Sequence, residues 1–452
     1  MSRDLVLGAL LAVTAMPVAA QQSVTIYSDG RILMRSTVPS QVPSGNSTHR
    51  VSAGFLDAGS VFSLDSAVAI MGASYDAAVD EANTLRRAIG RKLVFETYVK
   101  DGVMQTVEAE VLGVEPELYR LADGTLSFQR PGRARYPADL VLVAPTLSLS
   151  VRSTNARDAL RLGWFTDGGS WNANYAVMLG RGTARVSGQA EIQSGRLNIE
   201  SGEVQLLAGE VGRAPAAAPM QRQRMQEMAM VSKMADASAS EQGIGEAHLY
   251  SIPGPLTIKP GTSTVASLFD PASTTWTRRY VVRGQLPWYG ALPQYGEEEK
   301  PPVEVQYILK RALKTTFGDA PLPAGTWRLY VGVAGGRPQL IGEAGGEHTA
   351  AGQDVKLWGG NAFDLTAERV QTEYTTSRVN NRTIANAAYK VTVSNAKDSV
   401  VTVEVIEDRR GEWSLLESSL PGEKVSSTET RFRLQVPAKG QSTLTYRVRV
   451  VW

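Results

Sequence analysis

The stretch VTIYSDGRILMR, residues 24–35, decides the fold class. Two short alternating runs, the period of a strand with one buried face, flank the dipeptide Asp29-Gly30. Asp-Gly supplies the positive φ angles of a two-residue hairpin turn, so the stretch reads as a β-hairpin. The dipeptide recurs at Asp101-Gly102, Asp123-Gly124 and Asp167-Gly168. Strand patterning continues at Lys92–Val99, Thr106–Leu112, Ala176–Leu179, Thr183–Ile192, Gly202–Ala208 and Trp327–Ala334. It resumes at Ala388–Ser394, Val400–Asp408, Glu429–Val436 and Ser442–Val451. So many strands at short spacing predict a mainly β chain of antiparallel β-sandwich domains.

Helix patterning is scarce. Residues 76–89 carry Val79, Ala82, Leu85 and Ile89 three or four apart, with Asp76 as N-cap and Gly90 as terminator. Residues 91–132 then read as a small accessory β-barrel built of short strands. The expected organisation is an N-terminal β domain over 21–139 and a β-sandwich region over 140–452, the latter interrupted by a flexible linker at 214–246.

Composition narrows the chemistry. Apolar residues make up 43% and charged residues 20%, the balance of a folded chain. The absence of Cys removes disulfides, thiolate metal sites and thiol nucleophiles. The three histidines, His49, His248 and His348, are far apart in sequence. No phosphate-binding glycine loop, Gly-x-Ser-x-Gly elbow or His-Glu-x-x-His motif occurs, and Gly180-Arg-Gly182 lacks a third glycine. No catalytic residue, cofactor or metal site is assigned. Net charge is +2 with the basic residues scattered, which is not the footprint of a nucleic-acid binder.

The first 20 residues read as a signal peptide. Arg3 precedes an apolar run from Leu5 to Met16, Pro17 breaks it, and Val18-Ala19-Ala20 offers small residues for cleavage before Gln21. No later stretch is apolar and long enough for a transmembrane helix. The chain is therefore expected to be exported.

Three segments stand out as candidate surfaces. Residues 214–246 hold Met220, Met225, Met228, Met230 and Met234. Their spacing follows no heptad, which favours a linker over an adhesive or thioether site. Trp288, Tyr289 and Tyr295 lie in the Gly/Pro-rich segment LPWYGALPQYGEEEKPP, the candidate partner contact, with packing on its own sandwich as the other reading. The adjacent Glu297-Glu298-Glu299 reads as a solvated loop. By contrast Trp164, Trp171 and Tyr175 are expected to fill a core. Near the C-terminus Leu444, Tyr446, Val448, Val450 and Trp452 are apolar at period two, with Arg447 and Arg449 facing the other way. That pattern suits a last sandwich strand or, as the alternative, a lipid-facing strand of an outer-membrane β protein.

Two stretches carry a family resemblance. One is WFTDGGSWNANYAVML at Trp164–Leu179, followed by SGEVQLLAGEVGR at Ser201–Arg213. The other runs from LPAGTWRLY at Leu322–Tyr330 through FDLTAERVQTEY at Phe363–Tyr374 and VSNAKDSVVTVEVIE at Val393–Glu407 to TLTYRVRVVW at Thr443–Trp452. HLYSIPGPLTIKPGTSTVASLF at His248–Phe269 links them. Together they resemble the secreted bacterial family called mucoidy-inhibitor-A-like, whose C-terminal part is the domain of unknown function 4139. The resemblance covers 140–452, and more loosely the N-terminal hairpin and the 76–89 segment. It implies a β-sandwich protein of the periplasm or cell envelope of a bacterium, and the family name points towards exopolysaccharide. It brings no catalytic residues. The family's long coiled-coil insertion is replaced here by one short helical segment, so a coiled-coil assembly role is not carried over. The expectation is a non-enzymatic binding or assembly module for an envelope protein or a polysaccharide. The alternative is a glycan hydrolase using two carboxylates.

Overall fold

The computed structural model describes residues 21–98, 104–212, 241–244, 247–285, 296, 298–332, 337–408 and 412–451. Strands take up 66% of it and helices 4%, so sheets carry the architecture. The described residues fall into two compact units that interleave along the chain: those within 1–171, 192–207 and 224–264, and those within 172–191, 208–223 and 265–452. Among the described residues no helix is long and apolar enough to cross a membrane.

The first unit holds the opening hairpin, Gln21–Tyr27 with Ile32–Val42, in an eight-stranded sheet. Val24, Ile26 and Ile32 are fully buried, as the alternation predicts. The turn differs from expectation, because three residues rather than two connect the strands. The Tyr27 N–H donates to the Arg31 carbonyl at 2.9 Å, and the Gly30 N–H to the Tyr27 carbonyl at 3.1 Å. Only Gly30 takes a positive φ, +86°. A two-residue turn of mirror-image type needs two such residues, whereas one left-handed glycine closes a three-residue loop. Asp29 instead accepts from the Arg31 N–H at 3.1 Å. Asp123-Gly124 repeats the arrangement, with Gly124 at φ +86°. Gln21–Tyr27 also pairs in parallel with Ile199–Ala208, a neighbour that local sequence does not reveal.

The segment expected as a barrel is an open five-stranded sheet, ordered Arg133–Arg135, Lys92–Tyr98, Met104–Val114, Glu117–Leu121, Leu126–Ser127. Its edge strands are only three and two residues long and do not pair with each other, so the sheet does not close. A helix covers one face instead. The helix is Glu81–Arg87, shorter than expected and capped by Asp80, whose carboxylate accepts from the Asn83 N–H at 2.8 Å. Asp76 ends the preceding strand Val68–Asp76. Leu85 and Ala88 pack on Leu93, Phe95, Val111 and Tyr119, while Val79 and Ile89 are exposed. Gly90, at φ +80°, terminates the turn as read from the sequence.

The second unit contains two cores. In one, Tyr175 of Ser170–Leu179 stacks on Trp327 of Gly325–Gly332 with centroids 4.0 Å apart, beside Phe269 and Phe317. The other is a sandwich. Its first sheet includes, side by side, Val355–Asn361, Val303–Leu309, Ser263–Gln285, Val401–Asp408, Glu429–Val436 and Glu423–Lys424. Facing it are Glu298–Glu299, Leu365–Val379, Arg382–Asn395, Gly440–Val451 and Glu412–Ser418. Phe432 of the first sheet stacks on Tyr446 of the second at 5.4 Å. Leu444, Tyr446, Val448 and Val450 are buried, so the apolar face of this strand is the sandwich interior. Trp452 lies outside the described residues, as do the methionines of the 214–246 tract.

Candidate functional site: a cationic cleft on the sandwich

The first sheet of the sandwich has two unlike faces. Along Val401–Asp408 the inward residues are Val401, Val403 and Val405, and the outward ones are Thr402, Glu404 and Ile406. The same alternation sends Arg431 and Arg433 outward from Glu429–Val436, and Lys356 and Trp358 outward from Val355–Asn361. Five neighbouring strands thus bring to one surface residues that are far apart in sequence. There they line a cleft of about 360 Å³ that includes Arg279, Arg283, Lys356, Trp358, Glu429 and Arg431.

Two of the cations are braced. The Arg279 guanidinium donates to the Glu404 carboxylate. Arg431 reaches Glu423 at 2.7 Å and lies 3.7 Å from Glu404. The Arg431 bond holds the Glu423 carboxyl below its ordinary range, and the reciprocal bond raises Arg431. Both ends of this pair stay charged at neutral pH. The Nε atoms of Arg279 and Arg431 are buried with no hydrogen-bond partner, so neither guanidinium is fully compensated.

The other two cations are held more loosely. Arg283 lies 3.6 Å from both Glu304 and Glu429, beyond hydrogen-bond length, and its side chain is 46% exposed. Lys356 is exposed and has no ion-pair partner among the described residues. Trp358, two residues along the same strand, is 50% exposed. An ammonium without an ion-pair partner, a half-exposed guanidinium in two long ion pairs and an accessible indole face therefore share one concave surface. Such a set binds an anion by charge-assisted hydrogen bonds and a flat or apolar ring face by stacking.

Of the residues singled out from sequence, Trp288, Tyr289 and Tyr295 lie outside the described residues. The chain just after them re-enters the sandwich. The Gly296 N–H donates to the Gln371 carbonyl at 3.1 Å, and Glu298–Glu299 pairs with Arg369 and Val370. The acidic run is therefore part strand, not simply a solvated loop. Glu298 meets Lys300 at 3.1 Å, and Glu299 accepts from Arg369 at 2.9 Å. Arg369, 2% exposed, also grips the fully buried Glu407 through Nε at 3.2 Å and Nη2 at 3.1 Å.

The histidines stand apart from the cleft lining. His49 contacts Ser40 Oγ through Nδ1 at 2.9 Å and Ser47 Oγ through Nε2 at 2.8 Å. Both ring nitrogens thus meet hydroxyls, and neither meets the carboxylate that orients a hydrolytic histidine. His348 Nδ1 accepts from the Ala324 N–H at 3.2 Å, which clasps a loop. Trp164, Trp171 and Tyr175 are buried as core residues.

Sequence reading missed the cleft. Its local signature is a cation and an aromatic, or two cations, at a spacing of two: Lys356-Leu357-Trp358 and Arg431-Phe432-Arg433. Each marks a strand with a charged outer face, but only strand order shows that the two faces are joined. No protein-family model matches this chain, and no curated protein matches it significantly.

Proposed function

We propose that this chain is an exported cell-envelope protein that acts by binding a partner through the outer cleft of its C-terminal sandwich, without catalysis. The observation that carries the reading is the grouping of Lys356, which has no ion-pair partner among the described residues, and the loosely paired Arg283 with the exposed Trp358 in one cleft. A hydrolytic reading needs two carboxylates, one of them protonated at neutral pH. Here Glu429 is the one carboxylate among the lining residues, while Glu404 and Glu423 at its border are taken up by arginines. The envelope setting rests on the N-terminal apolar run and cleavage-type residues, and on the family resemblance of the C-terminal stretches.

The test is capture from envelope fractions by the purified protein and by the triple variant Arg283→Ala, Lys356→Ala, Trp358→Ala. These side chains are exposed, Arg283 at 46% and Trp358 at 50%, so an unchanged melting temperature is expected alongside lost capture. Capture equal to that of the unaltered protein would overturn the binding site. Recovery of the native protein from the cytoplasm after fractionation would overturn the envelope setting.

A further inference from the structure

We infer that the occupant of this cleft is an acidic polysaccharide lying extended across the strands, an inference that rests on the binding function proposed above. The first argument is shape. The lining residues come from five adjacent strands, Val355–Asn361 to Glu429–Val436. Four inter-strand spacings make the cleft about 19 Å long, which is longer than one sugar ring or one small anion requires. A second cavity lies nearby on the same strand, Glu429–Val436. Arg433, two residues beyond Arg431, lines this cavity of about 590 Å³ with Thr402, Gln435, Ser442 and Thr443. Glu423 bonds both arginines, at 2.7 Å to Arg431 and 3.3 Å to Arg433.

The second argument is chemical. Cations and carboxylates alternate over this surface: Arg283 beside Glu304 and Glu429, Arg279 and Arg431 beside Glu404, Arg431 and Arg433 beside Glu423. A dense polyphosphate would be repelled by the glutamates. A chain with spaced carboxylates and many hydroxyls suits both signs, since its carboxylates meet Arg283 and Lys356 and its hydroxyls donate to Glu429. Trp358 offers the flat face on which the C–H side of a pyranose ring stacks. The second cavity adds hydroxyl and amide groups, which suit hydroxyl recognition.

The third argument separates a glycan from an acidic peptide. An extended peptide gains affinity by adding a strand at a sheet edge, through main-chain hydrogen bonds. Here the lining side chains stand on the face of five strands, the central three of them paired on both edges, so a ligand that meets them all crosses the strands and does not run beside the open edge of Val355–Asn361.

Isothermal titration of the full chain with oligogalacturonates of increasing length tests this. Affinity should rise from disaccharide to octasaccharide and fall with added salt. Trp358→Ala and Lys356→Ala should each weaken binding at least about tenfold. Gln435→Ala with Thr443→Ala should weaken only the longer oligomers. Poly-glutamate or polyphosphate binding more tightly than oligogalacturonate would overturn the ligand class, as would equal binding of neutral dextran. If no polyanion binds while the triple variant still loses envelope capture, the polysaccharide assignment fails and the binding function stands. If the triple variant keeps capture, both fail. Melting curves of each variant exclude loss of binding through misfolding.

Discussion

Glu407 and Arg369 are the costliest residues in the sandwich to bury, and their surroundings explain how they are tolerated. The carboxylate meets the guanidinium through two near-parallel contacts, at 3.2 and 3.1 Å. The guanidinium also lies 4.1 Å from the centre of the Tyr389 ring and donates to Glu299 at 2.9 Å. Room for the carboxylate comes from Gly284, where a Cβ would sit 2.3 Å from Glu407 Oε2. Removing one charge of such a pair leaves the other desolvated and unpaired, at about 3–5 kcal/mol. Glu407→Gln should therefore lower the stability of the second unit by that amount in urea titration. The double change Arg369→Met with Glu407→Leu should recover most of it, because neither charge then needs a partner. A double variant as unstable as the single one would show that the loss comes from shape and not from charge. Gly284→Ala should destabilise the same core by pushing on the carboxylate.

At the scale of elements, the short helix Glu81–Arg87 is held to its sheet by its first residue. Glu81 accepts from the Tyr136 hydroxyl at 3.1 Å and lies 3.3 Å from Arg130, which in turn binds Glu117 at 2.7 Å. Burial first, and then the bond to Glu81, push the Tyr136 hydroxyl up to about 12. The protonated phenol is the form that the fold prefers. Its contribution to stability is complete below the ordinary tyrosine range and is lost as pH rises through about 12. On the acid side, the Arg130 bond depresses the Glu117 carboxyl, so that contribution persists above the ordinary carboxylate range and fades as pH falls through the lowered value. Near-UV titration of phenolate absorbance should show a component centred near 12 that Tyr136→Phe removes. Loss instead of a component at the ordinary tyrosine value would refute the contact. Elements of this kind were half legible. The strand Glu429–Val436 could be read to the residue because burial alternates along it. The sequence pattern starts the helix too early because Asp76 and Asp80 are both good caps. The preceding strand claims Asp76, whose carboxylate bonds the Ala78 N–H and Arg87. The cleft was not legible at all, since neighbourhood in a sheet is decided by long-range pairing, including the parallel pair of Ser263–Gln285 with Val401–Asp408.

At the scale of the whole molecule, the two compact units are not consecutive in the chain. The second unit takes residues 172–191 from the middle of the sequence and 265–452 from its later part. Within its larger sheet, Ser170–Leu179 and Thr183–Gln193 stand between Gly325–Gly332 and Ser263–Gln285. Tyr175 fills the core against Trp327, with its hydroxyl donating to the Pro323 carbonyl at 2.8 Å. Val177 and Val186 are fully buried. A fragment of residues 265–452 therefore exposes a strip of apolar side chains and two unpaired strand edges, which invite aggregation. It should lack a cooperative thermal transition and bind hydrophobic dyes, although it contains every lining residue of the cleft. Joining residues 172–191 to it through a Gly/Ser linker should restore the transition, the near-UV dichroism of the stacked Tyr175 and Trp327, and binding by the cleft. A bare fragment that melts cooperatively would refute this dependence and make the sandwich a self-sufficient folding unit. Failure of the linked form would instead place the missing support in the remaining described part of the unit, residues 208–212.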